Sequence, residues 1–280
     1  MEPLRSLQLK LDIINQSVSN DQGRYLLFLD ILGFSQMIET KTTEEIYTVI
    51  NDALKSFGRW EELNGLFKTI YFSDTFIFYQ EPKGYGGWAF LDVYAIGGMV
   101  LSALLAKNIP ARGAISFGEF EVNLDITGRH QVYFGKALIE AYKAEQLEKW
   151  IGITILASAW KPYEAENPGY IDRFAYEKVW SRRSDDTLLL NPFIKLRGWF
   201  LSSLISELDK PYSKWDAPEF PNDILGFKFI RDQAEAYAAI NDFTSPVATK
   251  YHTTIRFFES ILGDQLYRWG VEASFPGNFI

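Results

Sequence analysis

The sequence predicts an α+β fold, a mainly antiparallel sheet with helices packed against it, followed by a mostly helical C-terminal extension. Three observations predict it. Strand-like apolar runs come in pairs joined by turn residues, as around Ser73-Asp74, which is the mark of hairpins. Runs with apolar residues at helical spacing fall between those pairs. After Ser158 the runs that remain are helical, apart from a proline-rich loop. Hairpins alternating with crossover helices select an α+β sandwich over a parallel α/β sheet.

Each element follows from local pattern. Tyr25 to Asp30 is an apolar run ending in one acid and reads as a buried strand. Thr43 to Phe57 has helical spacing, with Thr43 as N-cap and Gly58 as stop. Leu66 to Tyr79 reads as two strands around Ser73-Asp74, and Gly84 to Gly87 as a loop. Trp88 to Lys107 is a helix. It is very apolar, but Asp92 and two glycines interrupt it, so a buried helix is expected rather than a membrane span. Pro110 to Val122 predicts a strand pair bent at Gly118, and Asp125 to Gly128 a turn. Gly135 to Trp150 predicts an amphipathic helix and Ile151 to Ser158 a strand. Beyond these, Gly198 to Leu208, Phe229 to Asn241 and Tyr251 to Trp269 read as helices, with Lys210 to Asp223 a proline-rich loop. The domain reading is an N-terminal arm over 1–20, a catalytic domain over 21–195 and a helical extension over 196–280.

Composition narrows the chemistry. The chain has 280 residues, 47% hydrophobic and 16% aromatic, enough for a large core. It has no cysteine, which excludes disulfides, Cys-ligated zinc and thiol catalysis. Its two histidines, His130 and His252, make a His-rich metal site or a catalytic triad a poor expectation. A net charge of −8 does not favour nucleic acid as partner. The start of the chain lacks the long apolar stretch of a signal peptide, so the expected location is cytoplasmic, without membrane attachment.

Asp30 and Asp74 are the candidate functional acids. Taken singly, Asp30 suits a helix cap and Asp74 a hairpin turn. If the first strand lies beside the hairpin, both project from one sheet end. Two carboxylates there can bind Mg²⁺ or Mn²⁺, which take oxygen ligands. Two such ions can clamp a triphosphate and activate an attacking hydroxyl. Ile31 to Ser35 would supply backbone N–H groups for phosphate, and Gly33 lets that backbone approach closely.

These residues resemble the class III nucleotidyl cyclases. Phe28-Leu29-Asp30-Ile31-Leu32-Gly33-Phe34-Ser35 is similar to that family's first metal motif, F-x-D-I-x-G-F-[TS]. Tyr71-Phe72-Ser73-Asp74 stands where the family has its second metal aspartate, usually after glycine. Ala111 to Gly118 resembles its R-x-G-I-H-x-G strand, and Tyr133 to Leu138 the start of its Y-G-x-x-V-N helix. The matches keep the family's order across Arg24 to Ser158. The resemblance implies two metal ions per site held by Asp30, Asp74 and the main chain of Ile31, with Leu32, Gly33, Phe34 and Ser35 at the phosphates.

The departures are specific. The family's ribose-orienting Asn and transition-state Arg fall here on Ile139 and Lys143. Lys143 keeps the charge without the bidentate fork of arginine. The purine-reading positions fall on Ile70 and Val132, an apolar pair that cannot hydrogen-bond a purine edge. Lys68 lies two residues before Ile70, on the same side of a regular strand. With the metal aspartates, the glycine turn and a cation all retained, the chain resembles the pyrimidine cyclases of bacterial Pycsar anti-phage systems. That resemblance implies UTP, ahead of CTP, as substrate. It also implies a homodimer with its sites between subunits and a cyclic pyrimidine product activating a separate effector protein. Lys143 would stabilise charge at the α-phosphate.

Other residues keep two readings. Arg112 would reach phosphate as a catalytic residue or pair with Glu119 or Glu121. Glu140 and Glu145 read as surface charges. Tyr71 and Phe72 would wall a base pocket or join the core. Lys178, Arg182 and Arg183 offer a distal phosphate contact or a solvated cluster. The competing functions are a purine cyclase with unrecognised base readers and a non-catalytic nucleotide-binding or dimerisation module.

Overall fold

The computed structural model describes residues 23–64, 67–80, 88–124, 131–176, 179–193 and 221–262. The N-terminal arm, the Gly84 to Gly87 loop, the Asp125 to Gly128 turn, the Gly198 to Leu208 helix and most of the proline-rich loop lie outside them.

A seven-stranded sheet organises the chain. Its strands are β1 (Arg24–Ile31), β2 (Phe67–Phe72), β3 (Thr75–Gln80), β4 (Ala111–Gly118), β7 (Gly152–Ile155), β8 (Trp180–Arg182) and β9 (Leu188–Leu190). The order is β2-β3-β1-β4-β7-β9-β8, and a two-stranded ribbon of β5 (Glu121–Leu124) and β6 (Gln131–Phe134) stands apart. Every pairing is antiparallel except β4 with β7. The α+β architecture is thus the one the sequence patterning predicts.

The central strand β1 is covered on both faces, which is why it reads as a continuous apolar run rather than an alternation. Leu27 and Leu29 face the main core, while Leu26 and Phe28 face a second, smaller cluster. That smaller cluster includes Ala137 and Ala141 of helix α4 (Lys136–Leu147). On the main-core side lies α3 (Trp88–Ala106), the one described helix long and apolar enough to cross a membrane. It is built into the fold instead, with Phe90, Val93, Ile96, Val100 and Leu104 fully buried.

Two helices from the 196–280 span join the same core: α7 (Pro221–Ala239) and α8 (Pro246–Leu262). Phe227 and Phe258 pack against Phe193, with ring centroids 6.2 and 4.8 Å away. Buried polar links secure them. Ser102 donates to Asp223 at 2.6 Å, and the Ile151 N–H donates to Thr254 Oγ1 at 2.7 Å.

Several boundaries differ from expectation. Helix α2 (Thr43–Asn64) follows a short α1 (Phe34–Thr40) and runs through Gly58. Its N-terminal box is Thr42 with Glu45, not Thr43: Glu45 accepts from the Thr42 N–H at 2.7 Å and from its hydroxyl at 2.8 Å. The bend at Gly118 separates β4 from β5, which pairs with β6 rather than back onto β4. The strand expected to reach Ser158 stops at Ile155, and helix α5 (Ala157–Glu166) starts two residues later, before α6 (Tyr170–Tyr176). Pro221 to Asp223, expected as loop, opens α7, because proline at the first helical position and an acid in the first turn both suit a helix start.

Candidate active site

The site lies at one end of the sheet, where β1 meets the β2–β3 hairpin. Asp30 follows Leu26 and Phe28 on the strand face turned toward α4. It stands in register with Thr75 of β3 on one side and Arg112 of β4 on the other. The hairpin turn carries Asp74, and its carbonyl accepts from the Ile31 N–H at 2.9 Å. The two aspartates therefore come to one sheet end. Ser73, just before Asp74, holds a φ of 54°, the left-handed conformation that glycine adopts without strain.

Burial, then the neighbouring Asp74 and Glu145 carboxylates, push the Asp30 carboxyl up to about 6, against Arg112 and a Thr75 hydroxyl bond. Thr75 Oγ1 donates to Asp30 Oδ1 at 3.4 Å. A half-buried carboxylate repelled by a second one is the setting that a divalent cation relieves. Among the described residues no three His, Cys, Asp or Glu side chains gather. The side-chain donors are thus two carboxylates, a set that suits Mg²⁺ or Mn²⁺ only with water and phosphate oxygens in the remaining positions.

The chain after Asp30 turns sharply. The Leu32 N–H donates to the Pro110 carbonyl at 2.8 Å, and Gly33 then takes a φ of 74°. No atom lies within 4 Å of where a Gly33 side chain would start, so conformation rather than space calls for glycine. Phe34 begins α1 without a side-chain cap. Asp30, Ile31, Leu32, Gly33, Phe34, Ser35 and Asp74 thus form one neighbourhood.

The other expected residues stand elsewhere. Ile70 lies half-buried on β2 against the smaller core cluster, whereas Val132 is exposed on the separate ribbon. Lys143 is exposed on α4, opposite the buried Ala137-Ala141-Glu145 stripe. Tyr71 and Phe72 are 43% and 52% exposed, so neither is core.

Arg112 is engaged by its own protomer. Its Nε donates to Glu145 Oε1 at 2.5 Å and its Nη1 to the Glu148 carbonyl at 2.7 Å. Its pairing is thus with Glu145, while the expected partner Glu119 pairs with Lys136 at 3.0 Å. Glu145, expected as a surface charge, is fully buried, whereas Glu140 is exposed. The Ala137-Ala141-Glu145 spacing of four was the available signal, since it places all three on one helix face.

Arg182 pairs with Asp186 at 2.8 Å, and Arg183 with Glu148 at 2.9 Å and Asp185 at 2.6 Å. Both belong to a structural charge cluster beside β8, and Lys178 lies outside the described residues. Sequence reading missed Thr75, which adjoins Asp74, and Lys250 of α8. The Lys250 ammonium feels Arg112, Glu145 and Asp30, although burial dominates and lowers its pKa. Nothing local to Lys250 signals that placement.

No protein-family model and no curated protein matches this chain. Among solved structures it is similar to the adenylyl cyclase CyaB from P. aeruginosa, at 15% identity and a TM-score of 0.45, over 51% of this chain and 81% of that one. It is also similar to the monomeric guanylyl cyclase domain of a RhoGC fusion protein from Blastocladiella emersonii. That match has 14% identity and a TM-score of 0.46, over 60% and 94% of the two chains. A third is the guanylate cyclase domain of RhGC from Catenaria anguillulae in complex with GTP, at 15% identity and a TM-score of 0.43, over 50% and 81%.

Proposed function

We propose that this protein is a pyrimidine nucleotide cyclase. It converts UTP, or CTP, to the 3′,5′-cyclic monophosphate and pyrophosphate, as a cytoplasmic homodimer whose product signals to a separate effector in anti-phage defence. The observation that carries the reading is the meeting of Asp30 and Asp74 at one sheet end, beside the Gly33 turn.

In this reading Asp30, Asp74 and the Ile31 main chain hold the cations. When bound, these ions lower the pKa of the ribose 3′-hydroxyl and neutralise triphosphate charge. The Gly33 turn brings the backbone N–H groups of Gly33, Phe34 and Ser35 against the phosphates, while the Leu32 N–H, held by the Pro110 carbonyl, fixes the turn. The O3′–Pα bond forms, the bond from Pα to the pyrophosphate oxygen breaks, and the hydroxyl proton is released. Lys143 offers positive charge to the α-phosphate. Its exposed position on α4 suits action on the site of a second copy. Arg112 acts as a positioning residue, because its pair with Glu145 ties β4, next to Asp30, to α4.

One observation favours a pyrimidine. Ile70 and Val132 offer no hydrogen bonds to a purine edge. Phe72, two residues before Asp74, is 52% exposed, open to stack on a base of either kind or to pack on a partner.

The test supplies purified protein and Mn²⁺ with ATP, GTP, CTP and UTP separately, and identifies cyclic products by mass. A cyclic pyrimidine nucleotide is expected, absent from Asp74→Ala. A purine product would overturn the base assignment. Absence of product from all four, in buffer and in lysate of phage-infected cells, would leave the non-catalytic module.

A further inference from the structure

A cavity of about 560 Å³ opens where α1, the turn between α3 and β4, and helices α7 and α8 converge. Its size suits a small-molecule ligand rather than a solvent pocket. Its walls mix aromatic and aliphatic side chains with the polar Gln36, Thr40, Asn108 and Gln233. Phe229, Tyr237 and Tyr251 contribute rings from α7 and α8, with Phe229 edge-on to Tyr251 at 5.9 Å and Tyr237 stacked on it at 5.9 Å.

Its charges are of one sign. Lys41, Lys107 and Lys250 line it, and no aspartate or glutamate does, in a chain whose net charge is −8. Among the described residues none of these three ammonium groups has a carboxylate within ion-pair distance. Lys41 and Lys107 are exposed at the rim, and Lys250 is half-buried. Burial, then nearby Arg112, lower the Lys250 pKa, against the Glu145 and Asp30 carboxylates.

We propose that this cavity is a binding site for a small amphiphilic anion, a flat apolar body carrying a phosphate, carboxylate or sulfonate group. It adjoins the Asp30–Asp74 site, sharing Leu32 and Gly33 with it, but neither aspartate lines it. The rings accept the flat body, and the three ammonium groups accept the anionic end. The proposal does not depend on the cyclase reading, because neither aspartate lines the cavity.

The probe is anilinonaphthalene sulfonate, an aromatic sulfonate whose fluorescence rises in apolar surroundings, titrated into the full-length protein. Saturable binding of one probe per chain is expected. Lys250→Met should weaken it about tenfold, the effect of losing one charge-assisted hydrogen bond. Val247→Trp, at the exposed rim, should block entry without touching the core. Asp74→Ala and Ile139→Ser should leave binding unchanged. Binding indifferent to both Lys250→Met and Val247→Trp would overturn the proposal. So would loss of binding in Asp74→Ala, which would place the probe at the metal site, or in Ile139→Ser, which would place it on the exposed α4 face. Circular dichroism melting of each variant separates loss of site from loss of fold.

Discussion

Arg112 and Glu145 carry the sharpest residue-scale consequence. Their side chains are 11% and 0% exposed, and each leaves the other stranded if removed. Breaking a buried pair from one side costs about 3–5 kcal/mol, whereas replacing both partners with apolar groups costs far less. Glu145→Gln should therefore destabilise by several times as much as the Arg112→Met, Glu145→Leu double variant, read by urea unfolding. Equal losses would show that the pair is not the source. A second residue-scale prediction concerns acid. The Arg183 guanidinium beside Asp185, with help from Thr187 and against slight burial, holds that carboxyl down at about 2. A carboxyl depressed in the folded state contributes stability that is present above its ordinary range and is lost as pH falls through about 2. Asp185 is mostly exposed, so solvent screening keeps the contribution small. Asp185→Asn should be less stable than the parent at neutral pH, with the gap closing in acid. A gap that persists unchanged in acid would remove Asp185 as the cause.

At the scale of elements, the junction between the β5–β6 ribbon and α4 fixes where Lys143 stands. Gly135 makes this junction possible. A Cβ there would lie 2.1 Å from the Glu119 carbonyl oxygen and 2.7 Å from Phe120 Cα. Both are main-chain atoms that cannot swing aside, and the Ala137 N–H is bonded to that same carbonyl at 3.1 Å. Gly135→Ala should therefore destabilise by about 2–3 kcal/mol, the range of a forced backbone shift. Under the proposed cyclase function it should also lower turnover more than substrate affinity, since α4 moves relative to β1. Hydrogen exchange at Ala137 reports the same change directly, and unchanged exchange there would contradict it. The short elements β8, β9, α5 and α6 escaped the sequence reading for a related reason. Three-residue strands have too little length for a period to show.

At the scale of the molecule, the proposed function calls for a second copy to complete the site. Phe72 beside the Asp74 turn, Phe134 at the end of β6, and Ile139 and Tyr142 on α4 are each at least half exposed. Ordinary monomer surfaces carry such side chains singly rather than together. The parent should sediment as a dimer, and Phe134→Asp with Ile139→Asp as a monomer that retains its melting temperature but loses cyclisation. A parent that sediments as a monomer, or a variant that remains dimeric, would refute this arrangement.

The sequence by itself determined the α+β class, the hairpin at Ser73-Asp74, the strand carrying Asp30 at its end and the turn at Gly33. These depend on side-chain period and backbone conformation, which act over a few residues and leave a local trace. It also placed Asp30 and Asp74 as a pair, on condition that β1 lies beside the hairpin, and the Asp30–Thr75 register meets that condition. Only the tertiary structure decided that Arg112 is held by Glu145, 33 residues away, and that Ile151 is bonded to Thr254, 103 residues away. It alone put Lys250 of α8 at the sheet end that holds Asp30 and drew α7 and α8 into the core. Such pairings arise where distant segments cross during packing. No period or spacing along the chain records which charges will meet.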